Sequence, residues 1–369
     1  MVKKLILVTS AAGAYGRGGT QLLVEAIAES GTSLAYSVSV AQLEELNAMD
    51  VSDCVIFWQS SAEISMSERR TLEHCLELGA VIVEKNVFAM PSVNRPVHRN
   101  YRICLMSRDG QMRYQLRSRL EGLKQTSSCF VLPNPRWGSG RTSTIRSLPD
   151  RGELTLLRIG RPDPIKWSNF ELEYAVALHR KTRRPVRLVR VGYPGPHAVT
   201  SVAGVRVEDL PYQDDLSEIY RGADLYVHYS RIGETFGNTV FEAQETGLPV
   251  IFAASLGWDC APVEYLPQSS FLFASRGWLL KNADTSLSRF EFSSKSVGSS
   301  RRPVREYGEA IMQIANTAPE EMTELRSISS GVGYVWMLGT RGHGFSAAAR
   351  VGAVLRMVLR SLRNRVIRS

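Results

Sequence analysis

Short apolar runs rich in β-branched and aromatic residues recur along this chain, with helix-like spacing between several of them. The first series reads KLILVT, SLAYSVSV, CVIFWQS, AVIVEKN, YRICLMS and CFVLPN. Between them lie patterns such as TQLLVEAIAES (20–30) and SERRTLEHCLELG (67–79), whose apolar residues return every three to four positions. Strands that alternate with helices predict parallel sheets covered on both faces. Residues 134–153, NPRWGSGRTSTIRSLPDRGE, interrupt the alternation and have the composition of a linker. A second series follows: LTLLRIG, RLVRVGY, VRVEDLP, DLYVHYS, PVIFAAS and SSFLFAS. The pattern predicts an α/β protein with two Rossmann-like domains, 1–145 and 150–344, whose parallel sheets face a central cleft. With 369 residues, 44% of them hydrophobic, the chain can bury a core in each. Residues 276–304 turn polar and read as a surface loop.

The formal net charge of +9 favours anionic partners. The cations are dispersed rather than interleaved with aromatics, so nucleic acid is not an expected partner. The five cysteines, Cys54, Cys75, Cys104, Cys129 and Cys260, form no CxxC pair and no metal-ligand spacing. Neither a disulfide framework nor a zinc site is implied, and a reducing cytoplasmic setting fits. The opening MVKKLILVTSAAGA has too short an apolar run for a signal sequence and reads as a buried first strand. No apolar run reaches the roughly 18–20 residues of a membrane span.

In the segment 345–369, Val351, Val354, Leu355, Val358, Leu359, Leu362 and Val366 share one helical face, and Arg356, Arg360 and Arg363 gather on another. Such a helix is expected to dock its apolar stripe on a domain, packing back on the first. Peripheral contact with anionic lipid, at the inner face of the membrane, is the second reading.

The chemistry concentrates in RIGETFGNTVFEAQETGLPV (231–250). DLYVHYS reads as a strand and NTVFEAQETG as a helix closed by Gly247, so residues 231–237 form a loop at the carboxyl edge of the sheet. Open α/β sheets bind ligands there. Gly237 permits close backbone approach, and the amides of 237–239 offer an anion site. Glu234 on the loop and Glu242 a turn into the helix can face the same ligand. Helix amides for phosphate together with carboxylates for hydroxyls suit a nucleotide sugar. His228, inside the strand, reads as a satisfied core residue.

The stretch ETFGNTVFEAQETGLPVI resembles the Glu-x7-Glu signature of family 4 (group 1) retaining glycosyltransferases, which have the GT-B fold of two Rossmann domains. The resemblance implies that Glu234 lies at the donor sugar, that Glu242 binds the ribose, and that Phe236, Gly237, Asn238 and Thr239 hold the diphosphate or the sugar. LLRIGRPDPIKW (156–167) is similar to the family's strand, Gly-Arg and following Lys. Arg161 and Lys166 are thereby implied to neutralise the leaving diphosphate without a metal or cofactor. GAYGRGGTQLL (13–23) is similar to the family's Gly-Gly turn, which puts Gly18 and Gly19 at the diphosphate. The family's His in the first domain is Asn86 here, a residue able to bond a sugar hydroxyl but not to act as a base. Lys-Gly of the family is Lys166-Trp167.

The resemblance implies a metal-independent transferase that moves a sugar from a nucleoside-diphosphate donor to a glycan or lipid-linked acceptor in polysaccharide or glycoconjugate assembly. A phosphorylase or nucleotide-sugar epimerase would keep the fold and change the chemistry. A non-catalytic nucleotide-sugar-binding subunit is the alternative that Asn86 keeps open.

Overall fold

A computed structural model describes residues 4–9, 19–30, 36–60, 63–87, 89, 91–121, 123, 128–135, 143–144, 147–148, 152–213, 215–230, 234, 237–254, 261–290, 296–297, 303–317 and 342–368. Gly18 and Phe236 lie outside them. The contacts divide the chain into two units: 1–140 with 301–334 and 355–369, and 141–300 with 335–354.

The first unit holds β1 (Lys4–Thr9), α1 (Gly19–Ser30), β2 (Ser37–Gln42), β3 (Cys54–Ser60), α2 (Met66–Glu77), β4 (Val81–Asn86), β5 (Tyr101–Leu105), α3 (Arg108–Leu120) and β6 (Ser128–Val131). Its six strands run in the order β2-β1-β3-β4-β5-β6, each pairing parallel. Successive residues of β1 and β3 feed opposite cores: Ile6, Val8, Ile56 and Trp58 pack on one side, and Leu5, Leu7, Val55 and Phe57 on the other. This period of two, with both faces apolar, makes the run read as a fully buried strand. A capping box fixes the start of α2: Ser65 Oγ accepts from the Glu68 N–H, and Glu68 accepts from the Ser65 N–H.

The second unit begins with β7 (Ser143–Thr144), then β8 (Leu154–Ile159), α4 (Phe170–Thr182), β9 (Val186–Val191), β10 (Val199–Val202), β11 (Val205–Leu210), α5 (Ser217–Arg221), β12 (Leu225–Ser230), α6 (Asn238–Glu245), β13 (Val250–Ala254), α7 (Ala261–Tyr265) and β14 (Phe271–Ala274). The sheet order is β10-β11-β9-β8-β12-β13-β14. Only β10 is antiparallel, joined to β11 as a hairpin. From β8 onward the parallel strands follow the doubly wound order 3-2-1-4-5-6, whose switch point lies between β8 and β12.

Two segments differ from the sequence reading. The polar stretch after 275 is helical over most of its described length: α8 (Arg276–Lys281), α9 (Ala283–Ser286) and a 3-10 turn over Leu287–Arg289. Leu279, Ala283 and Phe290 insert into the core, and Ser275 caps α8 by accepting from the Trp278 N–H. These apolar residues, spaced at helical intervals, outweigh the polar ones around them. β15 (Ser296–Val297) then pairs with β7. Secondly, α10 (Val304–Asn316) packs with the first unit although its sequence lies within 150–344. Tyr307, Ala310, Ile311, Met312 and Ala315 bury against Leu5, Leu7, Leu23 and Ile27. Its strongly one-sided apolar face needs a partner, and β1 with α1 supplies one.

The last helix, α11 (Ala347–Arg368), corrects the expectation of a docked stripe. Val351, Leu355, Leu359 and Leu362 are 47%, 53%, 63% and 41% exposed, and it is Ala353 that is buried. None of the helices in the described residues is long and apolar enough to cross a membrane.

Candidate donor site at the switch point

The ladder between β8 and β12 is short. It pairs Leu225 with Leu156 and Tyr226 with Leu157, although both strands continue beyond those residues. The strands part at their carboxyl ends, and the residues implied by sequence gather there.

After β8 the chain turns through Gly160 into a 3-10 turn, Pro164–Lys166, capped by Asp163, which accepts from the Ile165 N–H at 3.1 Å. Trp167, 6% exposed, closes this turn by donating Nε1–H to the Arg161 carbonyl at 2.8 Å. Trp167 is thus a packed residue that shapes the loop carrying both cations. Arg161 is exposed. Lys166 Nζ lies 3.6 Å from Glu234 Oε2. A cavity of about 570 Å³ nearby, lined by Trp167, Ser168, Asn169, Glu173, Tyr229 and Arg276, is bounded by the Glu173–Arg276 ion pair rather than by this one.

Arg158, buried in β8, fastens the turn from beneath. Its Nε donates to Glu171 at 3.1 Å and its Nη2 to the Lys166 carbonyl at 3.0 Å. The carboxylate of Glu171 also accepts from the Tyr229 N–H and from Ser168 Oγ, so the buried pair is satisfied on both sides.

On the β12 side, Gly237 begins α6 with φ 78° and ψ 60°, a left-handed conformation. A Cβ at this position would stand 2.7 Å from Glu234 Cγ. The glycine therefore makes room for this chain's own glutamate as well as for a close approach by a ligand. α6 has no side-chain cap, which leaves its amino end to another acceptor. Asn238 and Thr239 form its first turn. Thr239 Oγ1 accepts from Tyr226 OH at 2.8 Å. Tyr220 OH bonds Glu242 Oε2 at 3.0 Å and the Thr239 carbonyl at 3.3 Å. Both glutamates of the motif are thereby held by side chains from neighbouring elements.

The Glu234 carboxyl is 12% exposed. Burial alone would raise its pKa, but contact with His228, Lys166 and Arg158 outweighs burial and holds it at about 2. His228 is displaced to about 4, first by burial and then by Arg158, so its ring is neutral at neutral pH.

The first-unit candidates are placed differently. Gly19 opens α1, and Asn86 ends β4 at 1% exposure. Sequence reading did not select Arg158, Tyr220 or Tyr226, and it took His228 for a satisfied core residue. That last reading is corrected: His228 is 3% exposed, but neither ring nitrogen has a regular hydrogen bond. The signal was available in the strand period, because His228 shares a face with Tyr226 two residues before the strand ends.

Comparison with known proteins agrees with this geometry. Residues 153–273 match the family model described as "Glycosyl transferases group 1". A 124-residue stretch is 35% identical to D-inositol 3-phosphate glycosyltransferase of Gordonia bronchialis; the match covers 29% of this chain and 27% of that protein. The chain thus spans about a quarter of the length of the curated relatives it matches. Among solved structures, Anabaena HepE in complex with UDP and glucose aligns over 84% of this chain and 98% of its own, with TM-score 0.52 and 12% identity. A glycosyltransferase from Rickettsia africae aligns over 91% and 98%, with TM-score 0.51 and 11% identity. The fold is that of GT-B glycosyltransferases.

Proposed function

We propose that the protein is a retaining glycosyltransferase that takes a sugar from a nucleoside-diphosphate donor without a metal. The observation that carries the reading is the Lys166–Glu234 pair at the β8–β12 switch point, next to the uncapped end of α6. Lys166 and the exposed Arg161 supply fixed positive charge where a departing diphosphate gains negative charge. The α6 amides add donors to the same anion. Glu234, ionised under all ordinary conditions, accepts from sugar hydroxyls, and Glu242, held by Tyr220, accepts from the ribose. The departing phosphate takes the acceptor's proton, so no protein base is required at Asn86.

The acceptor in this reading is a glycan or a lipid-linked glycan. Support comes from α11, which exposes Val351, Leu355, Leu359 and Leu362 and carries the exposed Arg356 and Arg363. An exposed apolar stripe flanked by arginine suits peripheral contact with anionic lipid. Arg356→Glu with Arg363→Glu is expected to abolish co-sedimentation with phosphatidylglycerol vesicles; unchanged co-sedimentation refutes the membrane contact.

The test of the donor site uses UDP-, GDP-, ADP- and dTDP-sugars, assayed in EDTA for nucleoside diphosphate release and for a shift in melting temperature. Release from one donor, lost in Glu234→Gln and Lys166→Ala, supports the reading. Binding without release, at any acceptor supplied, would favour a non-catalytic binding subunit. If none of the nucleotide sugars shifts the melting temperature, the donor assignment fails.

A further inference from the structure

His228 occupies a position that physics would fill more cheaply with an apolar ring. Its imidazole lies in β12 between Phe252, whose ring centroid is 5.3 Å away, and Tyr226, at 6.2 Å. It is almost completely buried, yet both ring nitrogens lack a well-aligned hydrogen bond. A buried polar group without a regular partner destabilises a fold, and a phenylalanine here would keep the stacking without that penalty. Among the described residues, Glu234 Oε2 lies 3.3 Å from Nε2. At that distance and alignment the contact is a weak one. The carboxylate can only accept, so the ring hydrogen belongs on Nε2.

We infer that His228 is a positioning residue for Glu234: its Nε2–H and the Lys166 ammonium converge on Oε2 and fix the orientation in which the carboxylate meets the sugar of the donor. This rests on the donor-site reading above and goes beyond it by assigning a role to a strand residue outside the loop and helix of the motif. Glu234 Oε2 lies 3.6 Å from Lys166 Nζ and 3.3 Å from His228 Nε2, so the two groups converge on one carboxylate oxygen. The charged and titratable groups facing His228 are Glu234 on the loop, Lys166 on the 3-10 turn, Arg158 on β8 and Tyr226 on its own strand. Arg158 and Lys166 both oppose a positive imidazole, and burial acts in the same direction. The ring is therefore a neutral donor that steadies the carboxylate without neutralising it. A histidinium would compete with Lys166 for Glu234 and add charge beneath the diphosphate; a neutral N–H fixes orientation alone.

The experiment compares wild type, His228→Gln and His228→Phe in the full chain, using whichever sugar nucleotide of the panel binds wild type. Glutamine can place an amide N–H near the ring Nε2; phenylalanine keeps shape and stacking and removes the donor. His228→Phe is expected to weaken donor affinity by about tenfold at pH 7, and His228→Gln by no more than about threefold. His228→Phe should also lose affinity between about pH 5 and 4 where wild type does not, because Glu234 without its donor titrates closer to its ordinary range. The melting temperature of the unliganded His228→Phe protein should equal or exceed that of wild type, since an unpaired buried group has been removed. Equal donor affinity and equal pH profiles for wild type and His228→Phe would overturn the inference while leaving the donor site intact. Equal losses in the Phe and Gln variants would overturn it too, because packing rather than the N–H would then be at issue. Failure of wild type to bind any sugar nucleotide removes the donor site itself, and the inference with it.

Discussion

Two strand pairs, one in each parallel sheet, carry opposite chemistry at their carboxyl ends. In the second unit, β8 and β12 part after a two-residue ladder, and the charges that gather there are accessible or partly so: Arg161, Lys166, Glu234 and Glu242. In the first unit, β3 and β4 stay paired through Ser60 and Asn86, and the polar residues along that edge are sealed. Ser60, Lys85 and Asn86 are 2%, 0% and 1% exposed. Lys85 donates to Tyr307 OH on α10 at 2.6 Å and to Asn134 Oδ1 beyond β6. The same residue types thus serve as a site where the ladder ends early, and as an internal tie where it runs to the end.

The most damaging changes should be those that alter the splayed edge. Glu234→Gln keeps the shape and removes the charge that faces Lys166. Turnover is expected to fall about a hundredfold, in line with other losses of a fixed electrostatic partner. A steady-state comparison with the best donor checks this, and retention of more than a tenth of wild-type turnover would contradict it. Gly237→Ala tests the same edge through the backbone. Alanine in the left-handed region costs about 1 kcal/mol, and its Cβ would press on Glu234 Cγ. Donor affinity should drop about tenfold or more, while a control change at Gly79, where a Cβ meets nothing within 4 Å, should leave it unaltered.

The sealed edge makes a different prediction. Burial lowers the Lys85 pKa from 10.5 to about 7. Between those values the unfolded chain binds a proton that the folded one does not, so stability rises with pH across the window from about 7 to 10.5 and is lost as pH falls back through it. The slope has an upper limit of about 1.4 kcal/mol per pH unit. Lys85→Met should flatten this rise in denaturant titrations at pH 7, 8 and 9, and should not change donor affinity. A wild-type stability flat over that range would show that Lys85 stays protonated when folded. A loss of donor affinity in the variant would erase the contrast between the two edges.

Much of this contrast was legible in the sequence, and its omissions have physical causes. The strands announced themselves, because runs such as KLILVT and PVIFAAS are apolar on both faces and leave little else to form. Glu234, Glu242, Arg161 and Lys166 could be chosen because loop, turn and helix follow one another within short segments. Their mutual contact could not, since Lys166 meets Glu234 only once β8 lies beside β12. Arg158, Tyr220 and Tyr226 were hidden for the same reason: each acts across elements rather than along one. Residues 276–289 read as loop because serine and charge dominate, whereas burial of Leu279, Ala283 and Phe290 decides the outcome. The exposed stripe of α11 was legible as amphipathic, but periodicity states only that an apolar face exists, not what covers it.

The smallest expected effect is the most discriminating for the roles of the two glutamates. Tyr220→Phe removes one hydroxyl that holds Glu242 Oε2 and the Thr239 carbonyl, and leaves the ring tilted against Tyr226. If Glu242 binds the ribose, loosening it should raise the donor KM about threefold with kcat nearly unchanged, because the ribose is bound equally in ground and transition states. Glu234→Gln should show the reverse division, with most of its loss in kcat, since positive charge develops on the transferred sugar beside it during reaction. Matching splits for the two variants would mean that the glutamates act as one unit, and the separate assignments of ribose and sugar would have to be withdrawn. The buried Tyr220 ring tolerates the change on packing grounds, so a fall in melting temperature of more than a few degrees would instead assign the hydroxyl to holding α5 against α6.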